Sequence, residues 1–151
     1  MISNGFYIIK DEYFDLANDK YLKQNKGQNR PHYYSVYYKE YYWMIPLSSQ
    51  IVKYQNIIDK RLKSNKSCDI LHIAKLDNGK RSVFLIQDIF PITEKYIDRE
   101  FLMFGKPFVL TSESLINELE RKAKKTINLV LGDVKLLPTQ IDVKAIIEKL
   151  K

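Results

Sequence analysis

Cysteine occurs once in this chain, at Cys68, which leaves no internal disulfide and no all-cysteine metal site. Histidine occurs twice, at His32 and His72, and no triplet of aspartates is spaced to hold magnesium. Glycine is scarce, five in 151 residues, and none falls into a GxGxxG or phosphate-loop pattern. HExxH and paired-cysteine zinc patterns are missing as well. The expectation is chemistry with no metal and no cofactor. No apolar run approaches the roughly 20 residues of a membrane-spanning helix. The opening MISNGFYIIKDEYF meets acidic residues before any apolar stretch adequate for a signal peptide. The expected location is therefore the cytoplasm, away from membranes.

What the chain has instead is positive charge and aromatic rings. Lysine and arginine number 25 against 18 aspartates and glutamates, a formal net charge of +7 and a pI near 9.3. A surplus of that size biases a surface toward polyanions such as nucleic acid or acidic lipid headgroups. Hydrophobic residues make up 45%, enough for one folded domain over residues 1–151. Of the 11 tyrosines, six crowd with the single tryptophan into HYYSVYYKEYYW, residues 32–43.

Loose alternation marks Phe6-Tyr7-Ile8-Ile9 as an opening strand. Residues 11–22 place Tyr13, Leu16 and Ala17 on one side of a short helix, and KQNKGQNR, residues 23–30, reads as a mobile loop. Residues 33–38 and 41–47 flank Lys39-Glu40 and suggest a hairpin, although that pair lacks the glycine or asparagine tight turns prefer. Over residues 49–65, Ile51, Tyr54, Ile58 and Leu62 recur at helical spacing, with Ser49 as a natural N-cap. Residues 68–76 and 82–86 form a second hairpin across Asp77-Asn78-Gly79, and residues 89–92 add a short extended piece. Ser112 caps a long helix ending at Gly132, and DVKAIIEKLK after Pro138 is a final amphipathic helix. Strand, hairpin, helix, hairpin, helices: this order gives an α+β fold, a mostly antiparallel sheet with helices packed on it.

Chemistry then rests on Ser48 and Ser49, which follow Pro46-Leu47, with Lys53 one helical turn onward. A cap at Ser49 leaves free backbone N–H groups beside both hydroxyls, and such a terminus attracts phosphate. These parts suit attack by a ribose 2′-hydroxyl on its own phosphodiester, which needs an anion cradle, a base and an acid. The plainer reading is a helix cap and a turn residue. His32, just after Arg30, is able to titrate near neutrality and trade protons; His72 and Cys68 read as packing. One register puts Tyr33, Tyr37, Tyr41 and Trp43 on one sheet face and Tyr34, Tyr38 and Tyr42 on the other. Roughly half of these rings belong in the core, and the rest form a strip able to stack unpaired bases at about 1–3 kcal/mol each. Lys60, Arg61 and Lys63 on one helix, with Lys122, Lys124 and Lys125 on another, are either a solvated face or an RNA groove that Arg30, Tyr33 and Tyr34 extend.

Pro46-Leu47-Ser48-Ser49 after an aromatic β-run resembles the Pro-Leu-Thr/Ser-Ser core of the ToxN/AbiQ/CptN group, toxins of type III toxin–antitoxin systems. Arg30-Pro31-His32-Tyr33 is similar to that group's basic-proline strand start, and CDILHIAKLDNGKRSVFLIQDIFPI resembles its second hairpin with a closing hydrophobic-Pro-Ile element. The likeness runs from Phe6 to about Leu131, and the length, lysines and tyrosines look closest to the CptN branch. It implies a MazF/Kid-like antiparallel β-barrel core elaborated with helices. It also implies a metal-independent endoribonuclease that leaves a 2′,3′-cyclic phosphate and a 5′-hydroxyl. The implied substrates are cellular or phage RNA, in growth arrest or phage defence. The implied partner is a small RNA pseudoknot antitoxin, cut from repeats by the toxin and assembled with it into a closed protein–RNA complex. The group's catalytic hydroxyls fall on Ser48 and Ser49. Its active-site lysine, two residues beyond, falls on Ile51, which makes Lys53 the nearest substitute. Its strand-start lysine falls on His32, and an upstream tyrosine of some members has no counterpart near Gln28. The competing readings are a non-catalytic RNA-binding module and a protein-interaction domain docking through the aromatic hairpin.

Overall fold

The tyrosine-rich run folds back on itself at Lys39 and Glu40, whose φ angles of 50° and 73° are the consecutive left-handed pair a type I′ hairpin turn requires. The computed structural model describes residues 1–23 and 30–151. The loop expected over residues 23–30 therefore lies, from 24 to 29, outside the described residues. The elements are β1 (Phe6–Ile9), α1 (Asp11–Ala17), β2 (His32–Tyr38), β3 (Tyr41–Ser48), α2 (Ile51–Lys63), β4 (His72–Lys75) and β5 (Arg81–Phe84). There follow β6 (Phe90–Ile92), β7 (Ile97–Glu100), the small hairpin β8 (Leu102–Met103) and β9 (Lys106–Pro107), α3 (Glu113–Leu131) and α4 (Val143–Leu150). A 3-10 turn at Ile86–Asp88 links β5 to β6. No helix among the described residues is long and apolar enough to cross a membrane.

The main sheet runs β4-β5-β3-β2-β1-β7 with β6 also on β3, and its pairings are antiparallel. This is the expected α+β class. The sheet is open, however: β4 and β7 are edges with no pairing between them among the described residues, so the expected MazF/Kid-like barrel closure is not what the strands do. β3 is the hub. β2 pairs along one side of it, while on the other side β6 takes Tyr42 to Met44 and β5 takes Leu47 and Ser48. The first helix stops at Ala17, earlier than its apolar pattern suggests, because Asn18 turns left-handed (φ 45°) and closes it.

Successive strand residues point to opposite faces, so the burial of both Tyr33 and Tyr34 means that both faces of β2 are covered. Tyr33 packs on Phe6 and Phe84, with ring centroids 5.3 and 5.4 Å away, and Tyr34 packs on Tyr42. The simple alternation fails at Ser35, where the register with β3 slips between Tyr34 and Val36. One extra residue there flips the following side chains, and the Ser35 hydroxyl donates to the Trp43 carbonyl (2.9 Å). Tyr37 consequently stands 56% exposed, while Tyr38, Tyr41 and Tyr42 are half-buried. α3 packs on β2, and α4 packs on α1 and β6. A smaller cluster, Tyr54, Ile70, Leu71, Val83 and Leu85, seats α2 on the β4–β5 hairpin. At about 1.5–3 kcal/mol for each fully buried large side chain, that cluster holds the helix that follows the serines.

Candidate active site

Ser48 ends β3 opposite Val83 and is half-buried; Ser49 is exposed. The Ser48 hydroxyl accepts the Gln50 N–H (3.1 Å), and the Ser49 carbonyl accepts the Ile51 N–H (2.9 Å). The helix cap is thus Gln50, not Ser49, and its side chain makes no capping bond. This corrects the expected N-cap: the β-strand pairing of Ser48 delays the helix by one residue. Ser48 is tied down and Ser49 is not. Among the described residues, the N–H groups of Val52 and Lys53 have no acceptor, so the first turn of α2 offers free donors and the positive end of a helix dipole.

Lys53 opens onto a groove of about 540 Å³. α2 lines one wall through Lys53, Tyr54, Lys60 and Arg61, the segment after α1 lines another through Lys20 to Lys23, and the 3-10 turn contributes Gln87 and Asp88. Five of the lining side chains are cations, Lys20, Lys23, Lys53, Lys60 and Arg61, against the single carboxyl of Asp88. Among the described residues none of these cations lies in a salt bridge. Lys53 sits over the Tyr54 ring (5.1 Å to its centroid) and Lys20 over the Tyr21 ring (4.9 Å), one such pair on each wall. Ser48 and Ser49 adjoin this groove through α2 without lining it, and Lys63 lies exposed on the same helix outside it.

The basic cluster of α3 is different. Arg121 and Lys125 both bind the carboxylate of Asp69, Arg121 and Lys124 also pair with Glu118 and Glu120, and Lys122 donates to the Leu71 carbonyl (3.2 Å). The Lys122 ammonium also lies 3.0 Å from His72 Nδ1, and burial pulls the proton affinity of both groups down. Lys122 and Lys125 therefore help hold α3 against β4 and the segment before it, while Lys124 pairs within α3 and lies over the Tyr38 ring; the three are engaged in the fold and are not a set of free cations.

His32 and the first tyrosines also sit differently from expectation. His32 is fully buried, its ring against Phe14 and Phe90, and neither nitrogen makes a hydrogen bond of good geometry among the described residues, the backbone of Lys23 and Arg30 offering only weak ones. Burial, reinforced by the nearby Arg30 charge, pushes its pKa down to about 3. The proton-trading role expected of His32 thus meets a neutral imidazole enclosed in the core. Tyr33 and Tyr34 are core as well and present no ring to a base. Arg30 is half-buried beside them.

The residue sequence reasoning missed is Asp88. Its backbone is fixed by a bond to the Leu85 carbonyl (3.0 Å), its neighbour Gln87 donates to Ile70 (2.8 Å), and Leu85 donates to Pro46 on β3 (2.9 Å). It is 95% buried, and that burial lifts its carboxyl to about 6 against the opposing pull of Lys23 and Gln87. The signal available in the chain was an acid inside the apolar run LIQDIFPI. Among the described residues no group of three or more His, Cys, Asp or Glu side chains is placed to hold a metal ion.

The class this defines is an α+β protein with an open antiparallel sheet and a cationic groove beside a serine pair. No protein-family model and no curated protein matches the chain. Solved structures do. The lactococcal anti-phage endoribonuclease AbiQ, belonging to the type III toxin–antitoxin system, is similar with a TM-score of 0.76 at 14% identity, over 99% of this chain and 96% of that one. A chain from a bacterial type III system, in which a non-coding RNA pseudoknot selectively inhibits the toxin, is similar with a TM-score of 0.65 at 18% identity, over 99% and 96%. A chain from a bacterial antiviral system regulated by a processed non-coding RNA gives 0.69 at 14%, over 97% and 96%. The three likenesses establish a shared fold from end to end of the described chain.

Proposed function

We propose that this chain, as a single domain over residues 1–151, is a metal-independent endoribonuclease toxin of a type III toxin–antitoxin system. The observation that carries the reading is the fold shared over nearly the whole chain with such toxins. The groove's five cations, none in a salt bridge among the described residues, support it, because a polyanion is what such lysines and arginines would hold there. In this reading a single-stranded RNA lies along the groove, with its backbone on Lys20, Lys23, Lys60 and Arg61. The scissile phosphate sits at the start of α2, where the Ser49 hydroxyl and the free N–H groups of Val52 and Lys53 receive its non-bridging oxygens. The 2′-oxygen attacks phosphorus, and the 5′-oxygen leaves with a proton from the Lys53 ammonium. The products are a 2′,3′-cyclic phosphate and a 5′-hydroxyl. The same groove takes a small RNA pseudoknot antitoxin, cut from its repeats by this chemistry and retained in a closed protein–RNA assembly.

The test is incubation of the purified protein with single-stranded RNA in EDTA. The expected result is cyclic-phosphate ends, and their loss with retained RNA binding in Ser49→Ala. RNA bound but never cut would leave the chain an RNA-binding module. A fully active Ser49→Ala protein would refute the site.

A further inference from the structure

Transesterification of RNA needs a group to take the 2′-hydroxyl proton, and neither serine nor the enclosed His32 supplies one. Among the described residues Asp88 is the one carboxyl that lines the groove, which Lys53 also lines. It is not placed by a flexible loop. The 3-10 turn that carries it hangs on β3 through Leu85 and Pro46, two residues before Ser48, and on the segment before β4 through Gln87 and Ile70. The carboxyl and the serines therefore share one rigid support. No cation among the described residues closes to salt-bridge distance on it, although Lys23 from one wall and Lys53, Lys60 and Arg61 from the other face the same space. A buried carboxyl that takes a hydrogen bond from the Gln87 side chain but no ion pair among the described residues is costly to ionise, and such arrangements concentrate at catalytic centres.

Resting on the nuclease reading above, we infer that Asp88 is the general base of the cleavage step. Its carboxylate takes the proton from the 2′-hydroxyl as the 2′-oxygen–phosphorus bond forms. The phosphorus–5′-oxygen bond breaks, and the leaving oxygen takes its proton from Lys53. The carboxylic acid then returns its proton to solvent and the amine regains one. Phosphate charge arriving on the lysines strengthens the base further, because a second negative charge nearby raises the carboxyl's proton affinity. Burial already brings this carboxyl to about 6, where it is largely ionised at neutral pH and a stronger base than an ordinary carboxylate.

The experiment measures kcat and KM against pH for the full chain, Asp88→Asn and Asp88→Glu on a mixed-sequence single-stranded RNA in EDTA, with circular dichroism confirming the fold of each. The expected result is a fall in kcat of about 100-fold or more for Asp88→Asn with KM little changed. The unmodified protein should show an acid limb in kcat/KM centred near 6 that Asp88→Asn lacks and Asp88→Glu partly keeps. A folded Asp88→Asn cutting at the unmodified rate, or losing only KM, overturns the assignment and leaves the nuclease reading intact. Should Asp88→Asn not fold, the limb decides, since its absence from the unmodified protein is equally fatal. An unmodified protein that cuts no RNA at any pH defeats the nuclease reading and the assignment together.

Discussion

Arg121 on α3 donates to the carboxylate of Asp69, 3.1 Å away, on the segment that leads into β4. Lys125 binds the other carboxylate oxygen, and these hydrogen bonds, Lys125's foremost, hold the Asp69 pKa down to about 2. A depressed carboxyl contributes stability above its unfolded pKa and loses it as pH falls through the folded one. Asp69→Asn is therefore expected to cost about 1–2 kcal/mol at neutral pH, discounted for partial exposure, and almost nothing near pH 2. Thermal melts across that range check it.

The two basic helices should behave differently toward RNA. Lys60→Ala and Arg61→Ala, on the groove wall, are expected each to lower the salt dependence of single-stranded RNA binding by about 0.7 in the log–log slope. Lys125→Ala removes a cation already spent on Asp69 and should leave that slope unchanged while lowering the melting temperature. Filter binding over a salt series separates them.

Ser48 and Ser49 are adjacent but not equivalent. Ser48→Ala deprives the Gln50 N–H of its acceptor and is expected to destabilise by about 0.5–1 kcal/mol. Ser49→Ala, losing an exposed hydroxyl with no such duty, should melt like the unmodified protein yet fail to cut RNA. Paired melts and cleavage assays read both.

His32 sets the acid limit of the fold. Its folded pKa of about 3 lies below the ordinary 6.5, so the unfolded chain binds the extra proton. Stability should be level above about pH 6.5 and decline as pH falls toward 3. His32→Phe, keeping a ring against Phe14 and Phe90, should flatten that decline in denaturant titrations.

Asp88 has the opposite sign of shift. A carboxyl raised from 3.8 to about 6 costs nothing below pH 4, destabilises progressively between about pH 4 and 6, and costs a constant amount above that. Asp88→Asn is expected to be more stable at pH 7.5 by about 1–3 kcal/mol, with the gain vanishing at pH 4. A gain in melting temperature with a loss of cleavage is the signature of a group kept for its chemistry.

Much of this architecture was legible in local signals. Ser112 caps α3 as its position suggests, and Gly79, with φ 82°, sits in the turn between β4 and β5; the final helix is there too, with Asp142 its cap, not its first turn. The hairpin at Lys39-Glu40 was legible from its flanks, though the turn uses two residues that bear side chains at positive φ. What escaped depends on distant partners. β7 is the unpatterned IDRE, a strand because β1 lies beside it. The slip at Ser35 reassigned the later tyrosines, and no spacing rule announces an inserted residue. The groove escaped most completely, because Lys20, Lys53 and Asp88 are far apart in sequence and line one space only in the folded chain.

β3 answers to β2 on one flank and to β5 and β6 on the other, so the stem beneath the serine hydroxyls has no free margin from which to peel. α2 and residues 20–23 lie outside that ladder and hold to the fold through side chains such as Tyr54 and Leu22. Any widening that admits a bulky strand must then come from those walls swinging outward, while the alcohols stay put as the fixed jaw of a vice.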